Sequence, residues 1–546
     1  MPTPTTTPTA SSRHIVVIGA GLAGLAAACE LQTHGFEVTL IEKNDHLGGK
    51  MNVLIADTRA GRFNFDMGPT IITIPDVLRG ILRRAGRTPA DEIDLVNLDP
   101  QWRCFFDDGT VLNLRQKPET MAAELDHQFP GKAVGSSYLG FINYSRRMLR
   151  LSEKVFFYKD LGGMTDLMRE KPPTDPGLLR DVMAMRLHST VGATLHKMIT
   201  EPHVRQMCEH FLQYVGSSPF LAPTILTLIA AAQTDHGCWY PMGGTREVAR
   251  SLERLLRERG ANVITGVKVA RILESGGRAS GVELEGGKVI HADAVVSNCD
   301  VQRSLAGLVG GSAGSSAQRR VAASYKPACS GLVLYLALDR QYDHLAHHCF
   351  LFSRDSHAEF DDIYNKSIPA RDPSIYLAVP SRTDPAQAPP GCEAFYALIH
   401  TPANPASAPR WGSRGEGKLL DQYRPVVIDK LKRCGMPDLE DRILVETHLT
   451  PDMIDTMYNA EGGAIYGLAS HGKLIGGFKP RNRSGVMKGL YLAGGSVNPG
   501  PGVPMVLMSG VTAARCVAQD FGVEPMAIDA TPPVTTRVPK RELAGV

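Results

Sequence analysis

The stretch that decides the fold runs from residue 14 to residue 24 and reads His14-Ile-Val-Val-Ile-Gly-Ala-Gly-Leu-Ala-Gly24. Its β-branched residues predict a short buried strand, and the residues after the glycines, Leu25 to Gln32, predict a helix. Gly35 ends that helix, and Glu37-Val-Thr-Leu-Ile41 predicts a second strand that runs into Glu42. Together these elements make a complete βαβ unit.

The glycines of this unit predict contacts with a dinucleotide. Gly19 permits the tight turn, Gly21 lets the backbone approach a pyrophosphate, and Gly24 lets the helix pack closely on the strand. The N-terminus of the helix then stabilises the phosphates through its free N–H groups. We therefore expect the cofactor to bind at the turn residues Gly19, Ala20, Gly21, Leu22, Ala23 and Gly24.

The acidic residue after the second strand indicates which dinucleotide binds. Glu42 follows Gly24 by 18 residues, where a carboxylate accepts hydrogen bonds from ribose hydroxyls and repels a 2′-phosphate. FAD or NAD is therefore favoured over NADP. Gly48-Gly49-Lys50 extends the nucleotide site in a way that NAD enzymes do not usually show, so FAD is the better prediction.

Length, net charge and cysteine content limit the number of domains and the classes of ligand that we expect. The chain has 546 residues, which suggests three or four ordinary domains, and a net charge of +3, which gives no electrostatic footprint for nucleic acid. The ten cysteines include no C-x-x-C pair, so we expect neither a metal site nor a disulfide framework, and a reducing compartment.

Two segments bear on targeting and membranes. Residues 1–12 are rich in Thr and Pro and predict a disordered N-terminal tail without a signal peptide. No apolar run approaches the 18 residues of a membrane-spanning helix. The segment 219–232 has the length to dip into a membrane interface, although a buried core helix is the favoured interpretation.

Further along the chain, the nucleotide-binding pattern resumes after a long insertion. Val248, Leu252, Leu255 and Leu256 have helical spacing, and a hairpin with Gly286-Gly287 at its turn follows. Residues 294–300 predict a buried strand that runs into a loop. Residues 331–338 predict a strand within the next insertion, and the Pro-rich stretch 380–412 predicts a loop.

The segment near the carboxyl end is the most specific feature. Residues 489–510 read as a strand, a glycine turn at Gly494-Gly495, a rigid Pro/Gly loop, and a helix that starts near Pro504. Backbone at the glycines can approach a ribityl-phosphate arm, and the helix N-terminus can stabilise negative charge on a reduced flavin.

In order along the chain, these motifs resemble the FAD-dependent carotenoid desaturases of the bacterial phytoene-desaturase type, over about residues 13 to 520. The similar segments are Gly19–Gly24, Glu42, Gly48–Lys50, Phe65–Thr70, Tyr240–Thr245, Gly462–Gly467, Phe478–Ser484 and Tyr491–Pro504. One position departs from the family, whose members often have His-Pro-Gly where this chain has Asn498-Pro-Gly500. Any role of that histidine does not transfer.

The resemblance implies an α/β fold in which a Rossmann-type FAD-binding domain, of the glutathione-reductase and amine-oxidase kind, is interleaved with an α+β substrate domain. The FAD-binding domain would comprise 13–90, 240–305 and 485–520. The substrate-binding, membrane-associating domain would comprise 91–239 and 306–484, and 521–546 would be a tail. Besides the turn residues, the implied FAD contacts are Glu42, Lys43, Gly48, Gly49, Lys50, Met51, Gly68, Pro69, Thr70, Val267, Gly494, Gly495, Val503, Pro504 and Met505.

The implied activity is introduction of double bonds into a carotenoid or related polyene, such as phytoene, diapophytoene or a hydroxycarotenoid, by hydride transfer to flavin N5. A carotenoid oxygenase, an isomerase or a polyene saturase would use the same motifs. An amine oxidase is disfavoured because Ala493-Gly-Gly-Ser496 lacks the expected glutamate and aromatic residues. A non-catalytic isoprenoid carrier is disfavoured because both ends of the flavin site are intact.

No catalytic base is predicted. Asp235, His236, Glu461 and His471 are more typical of loops and turns, and Trp239 and Tyr240 are as typical of core packing as of a flavin site. The expected partners are a hydrophobic polyene, a membrane surface contacted peripherally from the cytoplasm, and oxygen or a quinone as electron acceptor.

Overall fold

The computed structural model describes residues 13–163, 166, 188–403, 411, 412, 418–472 and 476–529, so the predicted tail 1–12 lies outside the described residues. A parallel five-stranded sheet surrounds the glycine turn. Its strand order is Leu490–Leu492, Ala294–Ser297, His14–Ile18, Glu37–Ile41 and Asn262–Ile264. These strands come from all three segments that the sequence assigned to the nucleotide-binding domain, because parallel pairing joins stretches that are distant in the chain.

Helices cover the sheet. The helix predicted over Leu25–Gln32 spans Leu22–Thr33, because it begins directly after its N-cap, Gly21. The closing helix, Val503–Asp520, packs against it so tightly that a Cβ on Gly510 would lie 2.2 Å from the Ala23 carbonyl oxygen. The other helices of this layer are Asp76–Arg84, Pro89–Glu92 and Glu247–Glu258.

Smaller sheets flank this layer. The predicted hairpin is present, with Gly286 and Gly287 between Arg278–Leu284 and Val289–His291, and Val269–Ser275 completes a three-stranded antiparallel sheet. Two-stranded ribbons are formed by Val53–Thr58 with Gly61–Asp66 and by Leu95–Asn97 with Trp239–Pro241.

The second layer is a seven-stranded sheet. Its order is Ile443–Leu449, Ser330–Leu338, Glu393–Thr401, Ile375–Ala378, His348–Leu351, Trp102–Phe105 and Val111–Leu114. The strand predicted over 331–338 is therefore observed as Ser330–Leu338. The prediction of a loop over 380–412 was wrong for residues 393–401, because Glu393–Thr401 is a fully buried strand, and residues 404–410 lie outside the described part of the chain. Of the prolines that suggested the loop, Pro380 and Pro385 begin the short 3-10 turns Pro380–Arg382 and Pro385–Gln387, upstream of the strand.

Further helical segments pack around the two layers. The α-helices are Pro118–Gln128, Val134–Val155, Val191–Met198, Pro202–Glu209, Leu228–His236, Val301–Arg303, Gly311–Ser324, Ser356–Tyr364, Leu419–Arg433 and Pro451–Tyr458. Shorter 3-10 or π turns are His210–Val215, Thr224–Thr227, Ser304–Val309, Leu439–Arg442 and Glu461–Gly463. Most of the segment 219–232 is buried, which confirms its interpretation as core.

The described end of the chain is attached to the nucleotide-binding layer. Met526 donates its backbone N–H to His34 Nε2 at 3.1 Å, and the Ile528 carbonyl accepts from Arg84 Nη1 at 2.5 Å. Residues 521–529 thus pack beyond the predicted tail boundary at 520. Among the described residues, the helices are all too short or too polar to cross a bilayer.

Candidate functional site

A cavity of about 480 Å³ lies between the parallel sheet and one face of the seven-stranded sheet. It is lined by 19 of the 21 residues predicted to bind FAD, which are Gly19, Gly21, Leu22, Ala23, Glu42, Lys43, Gly48, Gly49, Lys50, Met51, Gly68, Pro69, Thr70, Val267, Gly494, Gly495, Val503, Pro504 and Met505. The fold therefore brings five separate stretches of sequence to one site.

The two predicted residues that do not line the cavity support those that do. The Ala20 N–H donates to Glu42 Oε2 at 2.7 Å. Gly24 faces the first strand, where a Cβ would lie 1.9 Å from the Gly19 carbonyl oxygen. Both contacts hold the glycine turn in place, so Ala20 and Gly24 stabilise the site without lining the cavity.

The glycine turn fits a pyrophosphate. Gly21 caps the helix Leu22–Thr33 without a side-chain hydrogen bond to the first turn, and the first turn contains no acidic residue. A Cβ on Gly21 would lie 2.7 Å from Asn298 Oδ1, and one on Gly49 would lie 3.1 Å from the Gly21 Cα. A helix N-terminus that a second backbone turn approaches closely, at Gly49, is suited to binding a diphosphate.

Glu42 is held where a ribose would bind. Its Oε2 accepts from the Ala20 N–H, its Oε1 accepts from the Asn44 N–H at 3.0 Å, and its carbonyl accepts from the Val267 N–H at 3.1 Å. Because an ionised carboxylate has about four acceptor sites, both oxygens can still accept from ribose hydroxyls.

Lys50 links the turn Gly48–Met51, at the nucleotide end of the cavity, to the segment that precedes the carboxyl-terminal glycine turn. Its Nζ donates to the Ile465 carbonyl at 2.7 Å and the Ala464 carbonyl at 3.3 Å. Burial lowers the pKa of Lys50 to about 8, against an opposing effect of Asp300. The lysine thus fixes the Gly48–Met51 turn and keeps a cationic group near the predicted diphosphate.

Buried amides hold the carboxyl-terminal loop. Asn482 Nδ2 donates to the carbonyls of Leu492 at 3.0 Å and Ser509 at 3.2 Å, on either side of the glycine turn. Asn498, where the resembling family often has histidine, donates from Nδ2 to the Lys159 carbonyl at 2.5 Å. Asn498 therefore anchors the loop to the second layer.

The remainder of the cavity is apolar and aromatic. Along the strand Glu393–Thr401, the alternate residues Tyr396, Leu398 and His400 face the cavity. The same face of the sheet adds Val333, Phe350, Tyr376 and Leu449, and helical segments opposite add Phe156, Phe157, Ile225, Leu226, Leu228, Ile229 and Ala232. Hydrocarbon contact dominates this surface.

Hydrogen-bonded hydroxyls lie where the predicted FAD-binding part of the cavity meets its apolar part. Tyr376 OH bonds to Thr70 Oγ1, in the predicted flavin segment, and to His348 Nδ1 at 2.9 Å. Trp102 Nε1 donates to Tyr214 OH at 2.9 Å, and that hydroxyl donates to Gln233 Oε1 at 2.7 Å. Burial raises the pKa of Tyr376 and Tyr214, so both phenols stay protonated.

The candidate bases Asp235, His236, Glu461 and His471, like the candidate flavin neighbours Trp239 and Tyr240, lie outside the cavity lining. Asp235 pairs with Arg146 at 2.7 Å, and Glu461 pairs with Arg303 at 2.6 Å. Three further side chains also make structural contacts: His471 Nε2 accepts from the Ser218 N–H, Trp239 Nε1 donates to the backbone carbonyl of His236, and Tyr240 OH donates to Asp66. Among the described residues, no three His, Cys, Asp or Glu side chains are grouped to hold a metal ion.

Several polar and aromatic residues of the cavity were missed by sequence reasoning, among them His210, Gln213, Tyr214, Tyr376, Tyr396 and His400. One signal was readable, because Tyr396, Leu398 and His400 alternate along a strand. The others lie in turns and strands of separate chain segments, and only the folded structure brings these segments together around the cavity. The cavity therefore contains aromatic side chains, although the turn Ala493–Ser496, where an amine oxidase is expected to have them, contains none.

Comparison with known proteins agrees with this geometry. Residues 22–354 match the family described as flavin containing amine oxidoreductase. The chain is 37% identical over 504 residues to 4,4′-diapolycopene oxygenase of Methylomonas sp, which covers 91% of this chain and 97% of that protein. It is 34% identical over 503 residues to 4,4′-diaponeurosporene oxygenase of Staphylococcus haemolyticus, covering 92% and 96%.

Solved structures share the fold. Cyclohexylamine oxidase from Brevibacterium oxydans aligns with a TM-score of 0.59 at 16% identity, over 93% of this chain and 99% of that one. At this identity the match establishes the architecture alone. With the open helix end at Gly21, the ribose-facing Glu42 and the family match, the conclusion is that this chain belongs to the flavin-containing amine oxidoreductases and takes FAD as its cofactor.

Proposed function

We propose that this FAD-dependent oxidoreductase is an oxygenase that acts on the end of a linear carotenoid-type polyene. The observation that carries the proposal is the continuity of the predicted cofactor site with an apolar cavity lined by Leu398, Ile229 and Phe350. A polyene hydrocarbon offers no charge to bind, so shape and apolar contact must position it. The curated relatives described above are named as oxygenases of such polyenes, which favours oxygenation.

The residues of this chain have definable roles in such a reaction. When bound, the flavin supplies two-electron oxidation and passes the electrons to an acceptor. Val503, Pro504 and Met505 would border its ring, and the apolar side chains opposite exclude water and align the substrate. Tyr376 keeps its proton between Thr70 Oγ1 and His348 Nδ1, which orients the hydroxyl at the junction of the two parts.

Desaturation is the second candidate. It needs the same cofactor and the same apolar cavity, and the motifs that resemble carotenoid desaturases favour it. The two reactions differ in whether oxygen enters the product.

Amine oxidation has less support. Glu42 and Asp300 are the only acidic residues among those described as lining the cavity, and both lie at the nucleotide end. An ammonium group in the apolar part would therefore lack a carboxylate partner. A non-catalytic carrier role also has less support, because the residues predicted to bind FAD line one cavity.

The working environment is part of the proposal. We infer a peripheral position at the cytoplasmic surface of a membrane, since the substrate dissolves in lipid. Molecular oxygen is the proposed co-substrate and electron acceptor, with a quinone as the alternative acceptor for desaturation.

The test is turnover of an acyclic polyene hydrocarbon by purified FAD-loaded protein in lipid vesicles under ¹⁸O₂. Chromatography with mass spectrometry should detect a product that contains the label. A product that has lost two hydrogens and contains no label would instead establish desaturation. Oxidation of a primary amine without any polyene turnover would contradict the proposal, as would FAD-loaded protein that turns over neither.

A further inference from the structure

Two side-chain nitrogen atoms of the cavity wall are buried without a hydrogen-bond partner among the described residues. They are Gln213 Nε2 and His400 Nε2, on side chains that are 1% and 6% exposed. A buried donor without a partner costs free energy, and most buried polar groups in proteins are satisfied. Two such atoms in the wall of one cavity point to a ligand that satisfies them.

Both side chains belong to one corner of the cavity. Gln213 lies three residues after His210 in the 3-10 turn His210–Val215, and side chains at this spacing share a side of the turn. The rings of His210 and His400 are 6.4 Å apart.

Contacts on its oxygen fix the amide of Gln213. Its Oε1 contacts Tyr364 OH at 3.4 Å and Cys329 Sγ at 3.9 Å. Cys329 directly precedes Ser330, which pairs with Thr401 next to His400. The amide oxygen is therefore held at the end of this strand pair, near His400, and the NH₂ group is the part of the amide without a partner among the described residues.

This corner lies beside the proposed flavin segment. The Tyr466 ring stacks on His400 with ring centres 6.1 Å apart. The Tyr466 carbonyl oxygen lies 3.6 Å from where a Cβ on Gly495 would be. Gly495 is one of the residues expected to border the cofactor, so a group bound in the corner lies close to it.

The chemistry of the two nitrogens defines the ligand. The amide of Gln213 donates, and burial lowers the pKa of His400 to about 4, so its imidazole is neutral and Nε2 can donate or accept according to its tautomer. An aldehyde oxygen accepts from both residues, and a hydroxyl accepts from Gln213 and donates to His400. A hydrocarbon end satisfies neither.

We propose that Gln213 and His400 form a receptor for the oxygen atom of an alcohol or aldehyde at the end of a polyene. The inference rests on the proposed function and deepens it, because it assigns to these residues the discrimination between an oxygen-bearing end and a hydrocarbon end. The apolar remainder of the cavity takes the chain.

The test is equilibrium binding to the FAD-loaded protein in detergent micelles, read from the shift of the polyene absorbance band. The probes are an all-trans linear polyene hydrocarbon, its α,ω-diol and its α,ω-dialdehyde, all of one length. We expect the diol and the dialdehyde to bind about tenfold more tightly than the hydrocarbon, the effect of one or two added hydrogen bonds. Gln213→Leu and His400→Phe should each reduce this preference to about twofold or less, with hydrocarbon affinity retained.

The matched control is Thr401→Val. Thr401 Oγ1 is also buried and without a partner, yet the residue does not line the cavity, and valine has nearly the same shape. This variant should keep the tenfold preference, and an equal loss here would overturn the inference because the effect would not arise in the cavity.

The affinities of the wild-type protein for the three probes test the proposed receptor even if a variant fails to fold. Equal affinity of the wild-type protein for all three probes would overturn the receptor and leave the oxygenase proposal standing. Absence of binding by any polyene would overturn both.

Discussion

At the scale of single residues, Gly24 shows how a missing side chain controls cofactor binding. Its Cα lies so close to the first strand that an added Cβ would be 1.9 Å from the Gly19 carbonyl oxygen. We predict that Gly24→Ala forces the helix away from the strand and lowers FAD affinity at least about tenfold, as for other misplaced binding groups. The ratio of flavin to protein absorbance after purification measures this.

The control is Gly140→Ala, in the helix Val134–Val155, where nothing lies within 4 Å of the added Cβ. That change should leave FAD content unchanged and stabilise the helix by up to about 1 kcal/mol. Full FAD content in Gly24→Ala would show that the close packing is not required.

Tyr376 connects the predicted flavin segment to the second sheet. Tyr376→Phe removes the hydroxyl between Thr70 Oγ1 and His348 Nδ1 and leaves both atoms without this partner. Since one lost hydrogen bond of this kind costs about 1–2 kcal/mol, we predict a kcat that is lower by about five- to thirtyfold, with FAD content unchanged.

Tyr423→Phe is the matched control, because that buried hydroxyl donates to the Ala370 carbonyl at 2.6 Å and lies outside the cavity lining. Its kcat should equal that of the wild type. Equal losses in the two variants would contradict a role for Tyr376 at the site.

Lys479 is a buried lysine that makes stability depend on pH. Its Nζ donates to the Ala469 carbonyl and to Ser470 Oγ, each at 2.9 Å, and burial lowers its pKa from 10.5 to about 7. Between these values the unfolded chain binds more protons than the folded chain, so stability falls as pH drops from 10.5 to 7. Below pH 7 both states are protonated and the loss is complete.

We therefore predict that, from pH 7 to pH 9, the wild type gains stability relative to Lys479→Met, by at most about 1.4 kcal/mol per pH unit. Melting temperatures of the FAD-loaded proteins across this range measure the difference. The exposed Lys132→Met is the control and should show no such trend. A constant difference between wild type and Lys479→Met at every pH would refute the assigned shift.

At the scale of elements, the strand Glu393–Thr401 separates the cavity from a second hydrophobic core. Leu398 faces the cavity, whereas Ala397 packs in the core with Leu334 and Phe395. We predict that Leu398→Phe weakens polyene binding with little change in melting temperature, because its ring extends into open space. Ala397→Phe overpacks a closed core and should cost about 1–3 kcal/mol of stability. Equal melting temperatures for the two variants would contradict this alternation.

At the scale of the whole molecule, the cofactor site joins stretches that are far apart in sequence. Gly21, Glu42, Val267 and Gly495 meet at one cavity only in the folded chain. FAD should therefore stabilise the fold, by about 2.7 kcal/mol at a free concentration 100 times its Kd. Removal of FAD should lower the melting temperature, and re-addition should restore it. NADP at the same concentration is the control, and an FAD-independent melting temperature would contradict the site.

Much of the nucleotide-binding layer was predictable from sequence because its signals are local. The spacing from Gly19 to Glu42 encodes a turn, a helix end and a strand end whose chemistry is set within about 25 residues. The same holds for the strand at 330–338 and the glycine turn at 494–495. For these elements, apolar periodicity and obligatory glycine positions are sufficient.

The substrate part of the site was decided by tertiary structure alone. The sequence determined that the chain binds FAD, and it left the catalytic region open because Gln213, Tyr376 and His400 carry no motif. They become neighbours through strand register and the packing of a 3-10 turn across the sheet. Local backbone chemistry thus sets the cofactor, whereas long-range contacts, which no short pattern encodes, set the shape and polarity of the pocket beside it.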